Sequence, residues 1–161
     1  MCNSIYLEEK TMPNALIMPF QWGIKAVEML QPVYLLAIRI YLAKIYFMSG
    51  MTKIKSWSTT LALFEYEYSV PVVSPVFAAY SATAVELICS VLLVVGLGAR
   101  VGAAGLLALS VVGIYSAAEL IGAIGVKELL FWGGLLSVVV AYGPGLLSAD
   151  HWLRKRYLPS A

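Results

Sequence analysis

Apolar residues fill four long stretches of the chain, and glycine or proline lies between them. The stretches cover about 32–52, 72–97, 101–123 and 127–147. Each is long enough to cross a bilayer, because a spanning helix needs about 20 mainly apolar residues. Pro71 lies at the start of the second stretch. The second, third and fourth stretches are followed, respectively, by the segments GLGAR (96–100), IGAIGVKE (121–128) and GPG (143–145). The pattern predicts an all-α polytopic membrane protein, a bundle of four transmembrane helices.

The segment PFQWGIKAVEML, residues 19–30, has a different pattern. Phe20, Ile24, Val27 and Leu30 share one helical face, and the polar residues lie elsewhere. This spacing predicts an N-terminal amphipathic helix in the membrane interface. A helix packed against its own bundle fits the same spacing, so both interpretations stay open.

The composition excludes several classes of protein. Of the 161 residues, 61% are hydrophobic and 12% charged, with a mean hydropathy of +0.84, whereas soluble domains carry roughly 25% charged residues. A net charge of +2 provides no electrostatic footprint for nucleic acid. Two distant cysteines, Cys2 and Cys89, and a single histidine, His151, form no thiol pair, no haem ligand pair and no metal cluster. We therefore expect neither a metal site nor a redox centre within the chain.

Lysine and arginine are unequally distributed between the two ends of the predicted bundle. One end collects six of them and the other end three: Lys10, Lys25, Arg100, Arg154, Lys155 and Arg156 against Lys53, Lys55 and Lys127. Because cytoplasmic loops are enriched in these residues, the bias predicts that both termini are cytoplasmic.

Charged residues also lie inside the predicted spans, where each costs roughly 2.5–3.5 kcal/mol on insertion scales. At about 100° per residue, Arg39, Tyr46 and Lys53 fall on one stripe of the first helix, together with Ala43 and Gly50. Lys44 points about 140° away from Arg39. Glu86 lies on a stripe of small residues in the second span, so we expect it to face the interior and to meet Arg39 or Lys44.

The third span adds Tyr115 and Glu119 to this predicted interior network. Two interpretations compete. Paired charges can fix the register of the helices and neutralise each other. Alternatively, the same residues form a polar pocket for a small ligand or a quinone head group, or line a proton path, because ionisable groups inside a membrane are often functional.

Several of these segments resemble the DoxX family of small membrane proteins. The resemblance lies in FMSGMTKI with Arg39, in AVELICSVLLVVGLGAR and in GPGLLSAD, and it covers about residues 33–150. It implies a four-helix protein of the bacterial or archaeal inner membrane. Members are associated with redox tasks, such as a subunit of thiosulfate:quinone oxidoreductase.

Three domains follow: residues 1–30 with the interfacial helix, a DoxX-like membrane domain at 31–150, and a basic cytoplasmic tail at 151–161. We expect a membrane subunit of a quinone- or sulfur-linked redox complex, with lipid and a redox protein as partners and quinone as the candidate cofactor. Whether the chain is itself an enzyme is left open. The alternative is a small transporter or lipid-binding module that uses the Arg39–Glu86 region. The small-residue helix faces would also permit homo-oligomers.

Overall fold

The structure, a computed structural model, describes residues 14–68 and 73–157, with side chains from Gly23 onward except Ala26. All elements in these ranges are helices: α1 (Asn14–Lys55), α2 (Trp57–Tyr66), α3 (Pro75–Val95), α4 (Ala99–Tyr142) and α5 (Ala149–Tyr157). The prediction of an all-α protein is confirmed. Helix α3 begins at Pro75, whose fixed backbone angle suits the first helical position; Pro71, predicted to open this helix, lies outside the described residues.

The chain divides into two compact units, Met1–Gln31 and Pro32–Ala161. In the first unit the predicted interfacial segment is helical and is part of α1. Ile24, Val27 and Leu30 on its apolar face are exposed. A position in the membrane interface stays a prediction. The site described below lies entirely in the second unit.

Three helices in the described ranges are long and apolar enough to cross a membrane. They are Gly23–Lys55, which is part of α1, then α3 at Pro75–Val95 and α4 at Ala99–Tyr142. Their outward side chains are largely aliphatic and aromatic, and many are more than half exposed, such as Val101, Phe131 and Ile88. Such faces suit a hydrocarbon solvent.

The third and fourth predicted spans are joined in α4, which folds back on itself. Its backbone leaves the helical region at Ala117 and at Gly122, whose φ is +65°. A Cβ on Gly133 would lie 3.5 Å from Leu107, and one on Gly113 would lie 3.8 Å from Leu129. The two halves therefore pack antiparallel around the break. The turn lies a few residues earlier than the predicted connection at 121–128, and the second half ends at Tyr142 rather than near 147.

Small residues bring the helices close together. Ala79, Ala82, Thr83, Glu86 and Ser90 on the predicted stripe of α3 are all buried, which confirms that this stripe faces the interior. A Cβ on Gly102 of α4 would lie 3.2 Å from the carbonyl oxygen of Cys89. In lipid, where no hydrophobic effect draws helices together, such close contact is what holds them. The core joins α1, α3 and both halves of α4, through Leu42, Ala43, Tyr46, Leu93, Ala103, Leu106, Leu136 and Val139.

Candidate functional site

Arg39 is fully buried, and its guanidinium binds backbone carbonyl groups rather than a carboxylate. Nε donates to the carbonyl of Leu93 at 2.8 Å, and Nη2 to that of Val94 at 3.0 Å. Nη1 donates to the carbonyls of Pro144 at 2.8 Å and Leu147 at 3.0 Å. Four of its five N–H groups are therefore used. We call Arg39 with these four carbonyls the Arg39 junction.

The predicted Arg39–Glu86 pair is wrong, and the geometry of α3 explains why. Leu93 and Val94 belong to the last turn of α3, where carbonyl groups have no partner within the helix. Arg39 supplies those missing partners. Glu86 lies seven positions earlier in α3, about 10 Å along the axis at 1.5 Å per residue. Arg39 is thus level with the end of α3 instead of with its middle, and it ties this end to the segment after α4.

Asp150 strengthens the same end of the bundle. Its carboxylate accepts hydrogen bonds from the backbone N–H of Gly98 at 2.9 Å and of Ala99 at 3.3 Å, at the start of α4. The backbone N–H of Asp150 donates to the carbonyl of Gly96 at 3.0 Å. An acidic group at a helix N-terminus also interacts favourably with the helix dipole. The α3–α4 turn and the segment after α4 are therefore locked together.

Lys53, rather than Arg39 or Lys44, is the partner of Glu86. Its Nζ lies 2.6 Å from Glu86 Oε1 and 2.7 Å from Oε2, and 3.0 Å from Ser49 Oγ. Ser49 in turn donates to Glu86 Oε1 at 3.1 Å. The Glu86 side chain is only 8% exposed, and that of Lys53 is 21% exposed. The Glu86 carboxylate is therefore shielded inside the bundle, and the partly exposed Lys53 side chain is the route by which a ligand could reach the pair.

Close approach of α1 and α3 makes this pair possible. A Cβ on Gly50 would lie 2.9 Å from Leu87 Cδ2 and 3.3 Å from Glu86 Cβ. Gly50 and Lys53 share the predicted stripe of α1, of which Arg39, Ala43 and Tyr46 are buried. The flexible lysine stem reaches back one turn to Ser49, so its charge meets Glu86 near the midpoint of α3.

Tyr46 adds a second polar contact in the interior. Its hydroxyl forms a 2.6 Å hydrogen bond with the hydroxyl of Ser110 in the first half of α4. Its ring packs edge-on against Trp132 in the second half, with ring centroids 6.1 Å apart. Tyr46 therefore links α1 to both halves of α4.

Tyr68, after the end of α2, faces the same region. Its ring stacks on Phe64 with centroids 4.6 Å apart. Burial raises the pKa of the Tyr68 phenol, and the negative charge of Glu86 raises it further. The phenol stays neutral at physiological pH and keeps its proton for donation.

Three predicted members of the interior network lie elsewhere. Lys44, Tyr115 and Glu119 are exposed, Tyr115 by 83%, and none forms an ion pair or side-chain hydrogen bond among the described residues. Lys44 lies off the stripe that faces the bundle, as its angular position requires. Tyr115 and Glu119 flank Ala117, where the fold-back of α4 turns them away from the interior.

A scan against protein families matches the DoxX model over residues 34–126, more than half of the chain. The chain belongs to the DoxX family. No significant match was found among curated proteins, and none among solved structures.

The DoxX match contains Arg39, Lys53 and Glu86, and it ends before the segment that closes the Arg39 junction. Sequence reasoning missed four residues that this DoxX protein uses here: Ser49, Tyr68 and Ser110, and Asp150 as a helix cap. Ser49 had a signal in the sequence, because it lies four positions before Lys53, a spacing that puts two helical side chains on one face. Asp150 had no comparable signal as a cap, because it caps the start of α4, about 50 positions earlier in the chain.

Proposed function

We propose that this DoxX protein is an integral membrane subunit of a redox-linked complex, quinone- or sulfur-related, in which a partner protein supplies the redox centre. The observation that carries this proposal is the Lys53–Glu86 pair near the midpoint of α3. Arg39 is committed to four carbonyls and is architectural. Among the described residues, Lys53 and Glu86 are then the interior charges left for chemistry.

The depth of the pair in the membrane supports a functional role. Helix α3 has 21 residues, about 32 Å at 1.5 Å per residue, and a bilayer core is about 30 Å thick. A pair near its midpoint therefore lies near the middle of the hydrocarbon. Ionisable groups at this depth are costly, and they commonly mark ligand sites or proton paths.

The pair offers both groups that a quinone head group requires. The three N–H groups of Lys53 now reach Glu86 and Ser49. By exchanging its contact with Ser49, the ammonium can donate a hydrogen bond to a quinone carbonyl oxygen, and the Glu86 carboxylate can give or take a proton beside it. A bound quinone couples the uptake of electrons to the uptake of protons at its oxygens. The partly exposed stem of Lys53 marks the side from which a head group would enter.

We further propose that the protein lies in the inner (plasma) membrane and crosses it four times, with both termini in the cytoplasm. At 44 residues α4 is about 66 Å long if straight, twice the hydrocarbon thickness, and its two antiparallel halves each suit one crossing. Arg100 and Arg154 line one pocket at the Arg39 end, which agrees with the positive-inside rule. Labelling of single cysteines at 119 and 155 in intact cells tests this topology, since residue 119 alone should react with an impermeant reagent.

The quinone site is tested on the full chain purified in detergent, with a short-chain ubiquinone analogue as the probe. The analogue should raise the unfolding temperature of wild type and of Lys44→Met, the matched control on the same helix. Glu86→Gln and Lys53→Met should lose the shift. Because each single variant leaves one charge unpaired, the double variant should recover stability while remaining unresponsive. An equal shift in all variants, or no shift in wild type, contradicts the proposed site.

The alternative function, a transporter or lipid-binding module, was predicted to use a shared Arg39–Glu86 interior. The two residues instead belong to separate contacts on α3, so that predicted site is lost. No observation in the structure favours this alternative over the redox-linked subunit.

A further inference from the structure

A pocket of about 570 Å³ opens beside the Arg39 junction, between the start of α4, its end and α5. Its lining includes Arg100 from the first turn of α4, Tyr142 and Gly143 from the end of α4, and His151 and Arg154 from α5. These elements are held together by Asp150 and by the hydrogen bonds of Arg39. The walls of the pocket are therefore fixed by the fold.

The charges that line this pocket are predominantly positive. Arg100 and Arg154 are exposed and take part in no ion pair among the described residues. Asp150 also lines the pocket, but its two oxygens already accept the N–H groups of Gly98 and Ala99. Two guanidinium groups thus face the cavity without a carboxylate partner in the described part of the chain.

The guanidinium of Arg100 lies beside the C-terminal end of α4. A Cβ on Gly143 would lie 3.1 Å from Arg100 Nε and 3.2 Å from Nη2, so the arginine lies directly against the backbone there. A planar guanidinium matches the geometry of phosphate oxygens better than an ammonium group does.

The surroundings of the pocket are those of a membrane–water boundary. Tyr142, Leu146, Trp152 and Tyr157 are each more than 60% exposed around it. Exposed tyrosine and tryptophan are enriched where lipid head groups meet the hydrocarbon. A ligand in this pocket would have acyl chains beside the apolar residues and its charge beside the arginines.

We propose that this pocket binds the phosphate of an anionic lipid head group, with Arg100 and Arg154 as the donors. The site would let the protein select anionic lipid at this end of the bundle. It shares no residue with the Lys53–Glu86 pair and does not depend on the quinone proposal.

The test uses the full chain in nanodiscs of phosphatidylcholine with increasing phosphatidylglycerol, and counts retained lipids by native mass spectrometry. Arg100→Gln with Arg154→Gln should weaken retention of phosphatidylglycerol by about tenfold or more, because charge-assisted hydrogen bonds are lost. The matched control is Lys155→Gln with Arg156→Gln, which also removes two positive charges, both from α5, but from residues outside the pocket lining. The control should retain the lipid as wild type does.

Three results would overturn the proposal. Equal weakening by both double variants would mean general surface attraction. No preference of wild type for phosphatidylglycerol would mean that no lipid site exists. Inorganic phosphate that stabilises the protein in pure phosphatidylcholine, and displaces phosphatidylglycerol, would assign the pocket to a soluble anion. All the substituted side chains are exposed, so unchanged unfolding temperatures in neutral detergent check that each variant is folded.

Discussion

Substitution of Arg39 should destabilise the protein far more than the loss of one surface charge. Its guanidinium donates four hydrogen bonds of 2.8–3.0 Å to backbone carbonyls. A hydrogen bond to a charged group contributes about 1.5–3 kcal/mol, and a buried group left without its partner costs about 1–3 kcal/mol. Arg39→Gln keeps one amide with two N–H groups, so about half of these contacts can be rebuilt.

The expected loss in the free energy of unfolding for Arg39→Gln is then about 3–5 kcal/mol, because two or more charged contacts disappear. For a chain of this size about 1 kcal/mol lowers the melting temperature by about 2–4 °C, so the fall should be about 10 °C. Arg39→Lys keeps the charge but lacks the planar fork, and its fall should be smaller.

The assay is thermal unfolding of the purified protein in one detergent, followed by tryptophan fluorescence and by size-exclusion of heated samples. Lys44→Gln is the control, because Lys44 is exposed on the same helix; it should shift the midpoint by less than about 2 °C, as surface substitutions do. A melting temperature for Arg39→Gln within that same margin of wild type would refute an architectural role. An Arg39→Lys variant as unstable as Arg39→Gln would contradict only the smaller fall expected from the retained charge, and would show that the guanidinium geometry is what the junction needs.

Three further substitutions test the Arg39 end of the bundle and the α1–α3 contact near the midpoint of α3 by the same assay. Gly96→Ala should cost more than about 2 kcal/mol, because its φ of +74° is unfavourable for alanine and its Cβ would meet the Arg39 guanidinium; Gly98→Ala, at φ +55° but in open space, should cost clearly less. Asp150→Asn should cost about 1 kcal/mol through a weakened helix cap, and an unchanged melting temperature would argue against the cap. Gly50→Val should separate α1 from α3, so the variant should either fail to fold or lose the quinone response. In the matched variant Gly134→Val, a Cβ would have no neighbour within 4 Å, so folding and the quinone response should both persist.

Much of the fold is predictable from local pattern. Apolar length predicts the long helices α1, α3 and the two halves of α4, but not the short helices α2 and α5. Positive-φ glycines mark the α3–α4 turn and the end of α4, as observed at Gly96, Gly98 and Gly143. The angular stripes on α1 and α3 are also correct, because one turn of helix repeats every 3.6 residues whatever surrounds it. These features depend on each helix alone.

The pairing of charges was not predictable in this way. An angular stripe tells which side of α1 faces inward, but not how far α1 is shifted along α3. That shift decides whether Arg39 or Lys53 is level with Glu86. It depends on close contact at Gly50 and on carbonyl groups at the end of α3, and sequence alone gives no measure of either.

The two interior cations therefore solve different physical problems. At the end of α3, carbonyl groups without helical partners need donors, and a guanidinium with five N–H groups can satisfy several at once. At the midpoint of α3 every backbone group is already paired, so Lys53 stabilises no backbone there; it neutralises Glu86, a residue that the helix itself does not require. A purely structural bundle could replace that pair by apolar side chains at little cost or with a gain in stability. The existence of the mid-helix pair is thus better explained by what Glu86 does than by what Lys53 stabilises.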